Sequence, residues 1–299
     1  MKIAISGASG NFGRLVTARL LERLAPGQLI LTTRNPESLA DMAALGCDVR
    51  RADFDEPVGL AQAFAGAERM LLISGTRVGQ RVPQHSAAIE AARAAGVRHV
   101  FYTSFVGADN PANLSEAVKD HRGTEALLRQ SGLDWTVLRN AQYTDAVTDV
   151  MAHSMVQDGV MLSVAGDGRM PFIWREDCVI GAAAALPGDG HENRAYDLTG
   201  PELVSYREVG ALIAEFTGQP VEVRLTDEEG LYAVFDALGV PRQPVDGFVA
   251  GGNPWNSDDM VSFEVAVRDG HFAIESTDFA TLTGRAPRSL RALFEERWR

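Results

Sequence analysis

The most informative segment is Lys2-Ile3-Ala4-Ile5-Ser6, which is followed at once by Gly7-Ala8-Ser9-Gly10-Asn11-Phe12-Gly13. Its first part is short and apolar, which predicts a buried strand, and the residues from 12 to 23 have the apolar periodicity of a helix. The glycines therefore stand between a strand and a helix, where they permit a tight turn and let backbone N–H groups approach a pyrophosphate. This arrangement predicts a dinucleotide-binding loop, and the alternative is a purely structural turn.

Strand patterns alternate with helical patterns through the first half of the chain. The predicted strands are 2–6, 29–33, 48–52, 70–74, 97–103 and 135–138, and the predicted helices are 12–23, 36–45, 57–65, 83–95 and 115–131. The strands are almost continuously apolar, so we expect both faces of the sheet to be covered. Together with the alternation, this predicts an α/β protein with a Rossmann-type doubly wound parallel sheet.

The pattern loosens after Arg139. Helices are predicted at 176–186, 205–217 and 227–238, and short strands near 160–164, 195–198 and 221–224. The segment 240–257 is rich in Gly, Pro and Asn and is predicted to be a long loop. We expect a cofactor-binding Rossmann domain over 1–150 and, over 151–299, mainly a smaller C-terminal α/β lobe that binds the substrate. Some segments of this C-terminal lobe are expected to return to the first domain.

Composition narrows the class of partner. The chain has 299 residues, of which 45% are hydrophobic and 23% charged, as in ordinary globular proteins. A net charge of -12 repels nucleic-acid phosphates and anionic lipid, so we expect neither nucleic acid nor membrane as a partner. Cys47 and Cys178 form no C-x-x-C pair, which favours reduced, buried thiols. With no membrane-spanning run and no room for a signal peptide before Lys2, we expect a cytoplasmic protein.

The end of the second predicted strand indicates which cofactor binds. NAD-binding folds place an acidic residue there to hold the ribose 2′-hydroxyl, whereas this chain has Thr32-Thr33-Arg34. An arginine at this position can pair with a 2′-phosphate, so we predict NADP(H); the alternative is a solvated surface Arg34. Asp53 follows the third strand and either contacts adenine or caps a turn.

Several catalytic signatures are missing from the sequence. Typical short-chain dehydrogenases use Tyr-x-x-x-Lys, but the fourth residue after each tyrosine is Val106, Val147, Gly200, Gly210 or Asp236. There is no G-x-S-x-G nucleophile motif and no H-E-x-x-H metal helix. The six histidines are scattered, so we expect no metal site.

The glycine loop and several later blocks resemble one protein family. These blocks are TRNP at 33–36, LISG at 72–75, VGQRVPQH at 78–85, AAGVRHVFYTS at 94–104 and LRNAQYTD at 138–145. They resemble the NmrA-like branch of the atypical short-chain dehydrogenases/reductases. Within it they are most similar to the bacterial NAD(P)H:quinone oxidoreductase type 2 and triphenylmethane reductase group. A looser similarity continues through TDF at 277–279 and TGRAP at 283–287.

The resemblance implies NADPH as cofactor and a substrate cleft between a Rossmann domain and a small lobe. It places Gly7, Ser9, Gly10, Asn11, Phe12 and Gly13 along the phosphates. It places Arg34 on the 2′-phosphate, and Asp53 and Phe54 beside adenine. Ser74 and Gly75 would border the ribose and nicotinamide. Tyr102, Thr103, Ser104 and the turn 140–143 would face the nicotinamide and substrate.

Direct hydride transfer needs the nicotinamide and the acceptor to be held in the right orientation, with a hydrogen bond to the developing oxyanion. It does not need the Tyr-Lys pair that this sequence lacks. Asn140 and Tyr143 are candidate donors, as is the backbone near Ser104; the alternative for each is packing. Lys119 is one of only two lysines, and related plant-type lignan reductases carry a catalytic lysine in a similar helix. It is a candidate acid or base, or else a solvated helix residue. His121, two residues on, is a candidate substrate-facing group.

Aromatic residues could form a wall of the substrate site. Phe105, Phe172, Trp174 and Trp255 are the candidates, with core packing as the alternative. Trp255 lies in the predicted loop 240–257, which could close over a ligand as a lid.

Three functions are compatible with these features. We favour an NADPH-dependent oxidoreductase that transfers hydride to a small aromatic electrophile, in the first place a quinone. The second is an NADPH-dependent reductase of lignan-type or benzylic-ether aromatics that uses Lys119. The third is a non-catalytic NADP(H)-sensing regulator, motivated by the missing Tyr-Lys dyad. The sequence identifies no individual substrate, and it leaves a homodimer open.

Overall fold

The computed structural model describes residues 1–245 and 256–297. It contains twelve strands: β1 Ile3–Ile5, β2 Leu29–Thr33, β3 Asp48–Arg51, β4 Arg69–Leu72, β5 His99–Phe105, β6 Asp134–Asn140, β7 Gln142–Tyr143, β8 Val160–Ser163, β9 Arg169–Ile173, β10 Arg194–Leu198, β11 Leu203–Ser205 and β12 Glu222–Leu225. Seven form a sheet in the order β10-β6-β5-β4-β1-β2-β3, and every pairing within this sheet is parallel. Small sheets of order β11-β9-β7 and β12-β8 complete the described set.

Thirteen α-helices lie in the described ranges. They are α1 Asn11–Leu21, α2 Ala40–Ala44, α3 Leu60–Phe64, α4 Arg81–Ala94, α5 Glu116–Gln130, α6 Thr144–Ala146, α7 Ala152–Asp158, α8 Arg175–Ala185, α9 Tyr206–Thr217, α10 Glu228–Ala237, α11 Ser257–Arg268, α12 Asp278–Thr283 and α13 Leu290–Arg297. None of these helices is long and apolar enough to span a bilayer.

The central strands of the large sheet are buried on both faces, as their apolar sequences predicted, and the edge strands β3 and β10 are only partly buried. In β1, Ile3 and Ile5 pack into one hydrophobic core and Ala4 into another, because successive side chains of a strand point to opposite faces. All three are fully buried. This confirms the predicted α/β class with a doubly wound parallel sheet.

The strand order creates a crevice at the centre of the sheet. β1 pairs with β2 on one side and with β4 on the other, so the connections leaving β1 and β4 diverge. Ligands of open α/β sheets bind at such a switch point, outside the carboxyl ends of the strands. The topology therefore places the glycine loop after β1 at the ligand-binding edge.

The second half of the chain contributes to both parts of the molecule. β10 pairs in parallel with β6 and forms one edge of the large sheet. The short sheets with β8, β9, β11 and β12 lie outside it. A division of the chain near residue 150 stays a prediction.

Two predicted helices differ in detail from the structure. The helix predicted over 36–45 is a 3-10 turn, Pro36–Leu39, followed by α2. The side chain of Asn35 accepts a hydrogen bond from the Glu37 N–H, and Pro36 fits the first position, so the tighter turn forms first. The helix predicted over 57–65 begins only at Leu60, after Gly59 with φ +96°.

Candidate functional site

The glycine loop joins β1 to α1 by a close approach of backbone to backbone. Gly7 has φ +59°, a left-handed conformation that side chains disfavour. A Cβ added at Gly13 would lie 2.5 Å from the Gly7 carbonyl oxygen, so only glycine lets α1 start this close to the loop. Ser9 Oγ lies 2.8 Å from Thr33 Oγ1, which ties the loop to the end of β2.

A cleft of about 980 Å³ lies along the carboxyl ends of the central strands. This volume is at the upper end of the range typical of small-molecule sites. Twelve of the thirteen residues predicted to hold the cofactor line it: Gly7, Ser9, Gly10, Asn11, Phe12, Gly13, Arg34, Asp53, Phe54, Ser74, Gly75 and Thr103. Ser104 is not among them, because its hydroxyl donates to Glu125 Oε1 at 2.8 Å in the interior.

The half of the cleft along β2 and β3 carries Arg34 and Asp53. Arg34 is exposed and forms no hydrogen bond or ion pair within the described part of the chain, so its guanidinium is available to a ligand. Asp53 lines the cleft and accepts the Asp55 N–H at 3.1 Å, which is the turn-capping contact; its contact with adenine stays a prediction. Asp55 in turn accepts hydrogen bonds from Gln84 Nε2 at 2.7 Å and from Arg77, which joins the loops after β3 and β4.

The half along β4 and β5 is organised around Gly75. Its N–H donates to His85 Nε2 at 3.1 Å, and its carbonyl accepts from Arg81 Nε at 2.6 Å. His85 Nδ1 lies 2.8 Å from Thr124 Oγ1, which itself donates to the Asp120 carbonyl. In this series of hydrogen bonds every donor meets an acceptor when His85 carries its proton on Nδ1. Burial, aided by the charge of Arg81, lowers the pKa of His85 to about 3, so the ring is neutral.

His85 and Arg81 were missed as site residues by the sequence analysis, which counted His85 only among scattered histidines. The available signal was their i, i+4 spacing on one helix, which places both side chains on the same face. Both side chains bond to Gly75, and the sequence could not show these contacts because they depend on where α4 lies in the fold.

Tyr143 and Asn140 lie together at the end of β6 and the start of β7. Asn140 Nδ2 donates to Tyr143 Oη at 2.9 Å, and Tyr143 lines the cleft while Asn140 lies behind it. The Tyr143 ring stacks near Phe12 with a centroid separation of 6.5 Å, and the Arg175 guanidinium lies 5.6 Å from its centroid. Burial raises the pKa of Tyr143 well above its usual value, so the phenol keeps its proton and can donate it.

Lys119 and His121 are placed apart from the cleft. The Lys119 ammonium lies 2.6 Å from Glu116 Oε1, and its side chain is 46% exposed on α5. His121 is buried, with Nδ1 2.7 Å from the hydroxyl of fully buried Tyr102. Burial lowers the pKa of His121 well below its usual value. None of Lys119, His121 and Tyr102 is part of the cleft lining.

The predicted aromatic wall is distributed through the core. Phe105 packs with Phe263 and Phe272, Phe172 is buried, and Trp174 Nε1 donates to the Ser289 carbonyl at 2.8 Å. Trp255 and most of the predicted lid lie outside the described residues. Of the described first part of that loop, residues 240–245, Pro244 and Val245 line the cleft. Across 1–245 and 256–297, no three metal-ligating side chains are grouped to hold an ion.

Comparisons with known proteins agree with this geometry. A family of domains described as NAD(P)H-binding matches residues 7–165. Quinone oxidoreductase 2 of Escherichia coli (strain K12) is 35% identical over 240 residues, which are 80% of this chain and 82% of that protein. The crystal structure of the E. coli NADPH-dependent quinone oxidoreductase complexed with NADPH has a TM-score of 0.88 at 31% identity, covering 98% of this chain and 99% of that chain. Citrobacter sp. triphenylmethane reductase complexed with NADP(H) has a TM-score of 0.84 at 28% identity, covering 99% of both chains.

Proposed function

Since this chain belongs to the NAD(P)H-binding, NmrA-like branch of the atypical short-chain dehydrogenases/reductases and is an NAD(P)H-dependent oxidoreductase, we propose that it reduces quinones with NADPH. The observation that carries the proposal is a single cleft lined by the glycine loop, an unpaired Arg34 and the Tyr143 phenol.

The residues of the cleft fit NADPH. The backbone of the glycine loop would bind the pyrophosphate, and Arg34 would bind the 2′-phosphate through charge-assisted hydrogen bonds. Gly75, held by Arg81 and His85, would fix the wall of the nicotinamide half. NADPH, when bound, supplies a hydride.

Tyr143 is the proposed donor to the acceptor oxygen. A quinone that takes up a hydride and one proton becomes a hydroquinone, and NADPH becomes NADP+, so two electrons are transferred in all. Negative charge develops on a quinone oxygen before the proton arrives, and a fixed O–H donor stabilises it. Asn140 donates to Tyr143 Oη, which leaves the phenolic proton free to point at the acceptor.

The two alternative functions have less support from the geometry. A benzylic-ether reductase would need Lys119 in the cleft, whereas its ammonium pairs with Glu116 on the exposed side of α5. A non-catalytic sensor would need no hydrogen-bond donor beside the acceptor position, whereas Tyr143 lines the cleft with its proton unused.

An anaerobic turnover experiment tests the proposal. Purified protein is mixed with NADPH and a panel of benzoquinones and naphthoquinones, and NADPH loss and hydroquinone formation are measured together. We expect one hydroquinone for each NADPH consumed and no semiquinone signal in electron paramagnetic resonance. Retained NADPH with every quinone of the panel would reject the proposal and favour the sensor.

A further inference from the structure

The Arg175 guanidinium lies beside the Tyr143 ring in the lining of the cleft. Its central carbon is 5.6 Å from the ring centroid, within the range of a cation–π contact, and both residues line the cleft. The Arg175 side chain is only 24% exposed, so salt and water screen its charge less than that of a surface arginine. A permanent positive charge therefore adjoins the phenol that the proposed function uses.

Asp145 holds Arg175 in this place. Its Oδ2 accepts the backbone N–H of Arg175, the first residue of α8, at 3.0 Å. Its Oδ1 lies 3.6 Å from Nη1 of Arg175, so the two side chains form an ion pair. The same Oδ1 accepts a hydrogen bond from Arg297 at 3.2 Å, so two arginines share the negative charge of this carboxylate. The guanidinium is thus positioned from its own helix end and faces the ring.

Four groups act on the buried Tyr143 phenol. Burial raises its pKa, and the hydrogen bond from Asn140 and the charge of Arg175 oppose this effect. Asp145 disfavours a phenolate, but more weakly than Arg175 favours it. Burial raises the pKa of the Cys178 thiol well above its usual value, so this neighbour keeps its proton and adds no charge. Arg175 is therefore the cation that favours ionisation of the phenol.

A buried phenol transfers its proton to a quinone oxygen only if the phenolate left behind is stabilised. An ordinary phenol has a pKa of about 10, and the hydroquinone formed is itself a phenol, so transfer from a phenol with a much higher pKa is unfavourable. In typical short-chain dehydrogenases a lysine four residues after the tyrosine supplies the stabilising charge, whereas this chain has Val147 at that position. A cation from another element is then needed.

We propose that Arg175 stabilises the phenolate that forms when Tyr143 gives its proton to the acceptor, and so takes the part of the missing lysine. This inference rests on the proposed function. The hydride brings two electrons and one hydrogen to the quinone, and the Oη–H bond of Tyr143 breaks as an O–H bond forms on the acceptor oxygen. The phenolate then takes a proton back from water. Arg175 acts through Tyr143 and is a positioning residue.

A double-mutant cycle tests this coupling. The kcat with a naphthoquinone is measured for wild type, Arg175→Gln, Tyr143→Phe and the double variant. We expect Arg175→Gln to lower kcat about fivefold or more in the wild-type background and to have no effect in Tyr143→Phe, where no phenolate can form. Arg175→Lys keeps the charge and is expected to recover most of the loss. The same fold loss in both backgrounds would overturn the inference, since Arg175 would then act independently of the phenol.

Arg291→Gln is the matched control for the loss of a guanidinium beside a ring. Arg291 lies 5.7 Å from the Phe216 centroid and is not part of the cleft lining. We expect Arg291→Gln to keep kcat, and both Arg291→Gln and Arg175→Gln to keep NADPH affinity in a fluorescence titration. A loss of NADPH affinity in Arg175→Gln that accounts for its loss of activity would assign Arg175 to the cofactor and contradict the proposed role.

A titration that needs no turnover measures the same interaction. Tyr143 is replaced by 3-nitrotyrosine, whose more acidic phenol changes colour when it ionises, and its pKa is read from the absorbance with and without Arg175→Gln. We expect Arg175→Gln to raise this pKa by about 1 or more, because a cation within about 6 Å favours the phenolate, and Arg291→Gln to leave it unchanged. An unchanged pKa in Arg175→Gln would overturn the inference.

The titration and the kinetics separate this inference from the proposed function. A protein that reduces no quinone, but whose phenol at position 143 becomes less acidic in Arg175→Gln, would reject quinone reduction and keep the electrostatic coupling of Arg175 to Tyr143. A protein that reduces quinones, with independent effects of the two substitutions and an unchanged titration, would keep the proposed function and reject the role of Arg175.

Discussion

Arginine residues give the lining of the cleft a positive net charge, opposite in sign to the net charge of the whole chain. The chain has a net charge of -12, yet the charged residues that line the described cleft are four arginines and two aspartates, namely Arg34, Arg77, Arg81, Arg175, Asp53 and Asp55. Arg77 pairs with Asp55 across the mouth, whereas Arg34 has no ionic partner in the described part of the chain. Local charge, rather than net charge, therefore favours a polyanionic cofactor.

Replacement of Arg34 should remove the preference for NADPH. We expect Arg34→Gln to raise the Kd for NADPH about tenfold or more, because one charged hydrogen bond to the 2′-phosphate is lost, and to leave NADH binding unchanged. Parallel fluorescence titrations measure both constants. Arg23→Gln, at an exposed site outside the cleft, is the matched control. Equal weakening of NADPH and NADH would mean that Arg34 does not contact the 2′-phosphate.

Tyr143 should act on the rate rather than on cofactor binding. We expect Tyr143→Phe to lower kcat with quinones by about tenfold to hundredfold, because one donor to the developing oxyanion is removed while the ring is kept. Steady-state kinetics and an NADPH titration separate the two effects. The control is Tyr232→Phe, whose hydroxyl donates to Asp258 and is not part of the cleft lining. An unchanged kcat for Tyr143→Phe would remove this residue from the mechanism.

Local chemistry was predictable at this scale, and contacts between elements were not. The glycine loop and Arg34 could be identified because a loop and the end of its neighbouring strand are fixed by a few adjacent residues. His85 and Arg81 meet Gly75 only because α4 folds back against β4. Lys119 and His121 are two residues apart on α5, and the rotation of that helix makes one exposed and the other buried.

The start of α1 is the element on which the cofactor site depends most. Its N-terminus can approach the loop only if Gly13 has no side chain, since a Cβ there would lie 2.5 Å from the Gly7 oxygen and 2.7 Å from the Ala8 Cα. Both neighbours are backbone atoms of the loop that would contact the pyrophosphate. Any shift of α1 therefore moves the binding groups themselves.

Gly13→Ala should consequently impair both stability and binding. We expect a loss of about 1–3 kcal/mol in the free energy of unfolding, as for an overpacked core, together with weaker binding of both NADPH and NADH. Chemical denaturation and fluorescence titration are the measurements. Gly27→Ala is the control, because its Cβ would meet no atom within 4 Å and its φ is not positive. Similar effects of the two substitutions would refute the packing argument.

Elements of the large sheet were easier to predict than those of the C-terminal lobe. The strands β1, β2 and β4 to β6 are largely apolar because they are mostly buried in the sheet, so composition marks them, whereas the edge strand β3 has no buried residue and three charged ones. β7 has two residues and β11 has three, too few for any periodicity, and both are held by pairing with β9. β11 was not predicted because it is too short. β9 and α11 were not predicted because they depend on packing between distant segments.

At the scale of the whole molecule, α11 joins the second half of the chain to α5, a helix of the first half. Asp259 of α11 accepts the Ala117 N–H at 3.1 Å, and Ser262 Oγ accepts the Glu116 N–H at 3.1 Å, so α11 caps the start of α5. Burial raises the pKa of Asp259 to about 6, against the opposing charge of Arg81. The cap therefore includes a carboxyl group whose ionisation is unfavourable in the folded protein.

The stability of the protein should depend on pH through Asp259. Between its ordinary value of 3.8 and about 6 the folded protein binds more protons at this site than the unfolded chain, so the free energy of unfolding falls as pH rises. The substitution Asp259→Asn keeps an acceptor oxygen at this position and removes the ionisable group. We expect the stability advantage of Asp259→Asn over wild type to grow from about pH 4 to about pH 7, by at most about 3 kcal/mol. Urea denaturation across this range tests it, and a difference independent of pH would contradict it.

The most direct test of the account is a titration of the purified protein with NADPH and NADH in parallel, followed by addition of a quinone while the absorbance of the reduced nicotinamide is recorded. The account predicts tighter binding of NADPH than of NADH and immediate oxidation of the bound NADPH by the quinone. Failure to bind either cofactor, or NADPH that binds and is not oxidised by any quinone of a broad panel, would contradict it.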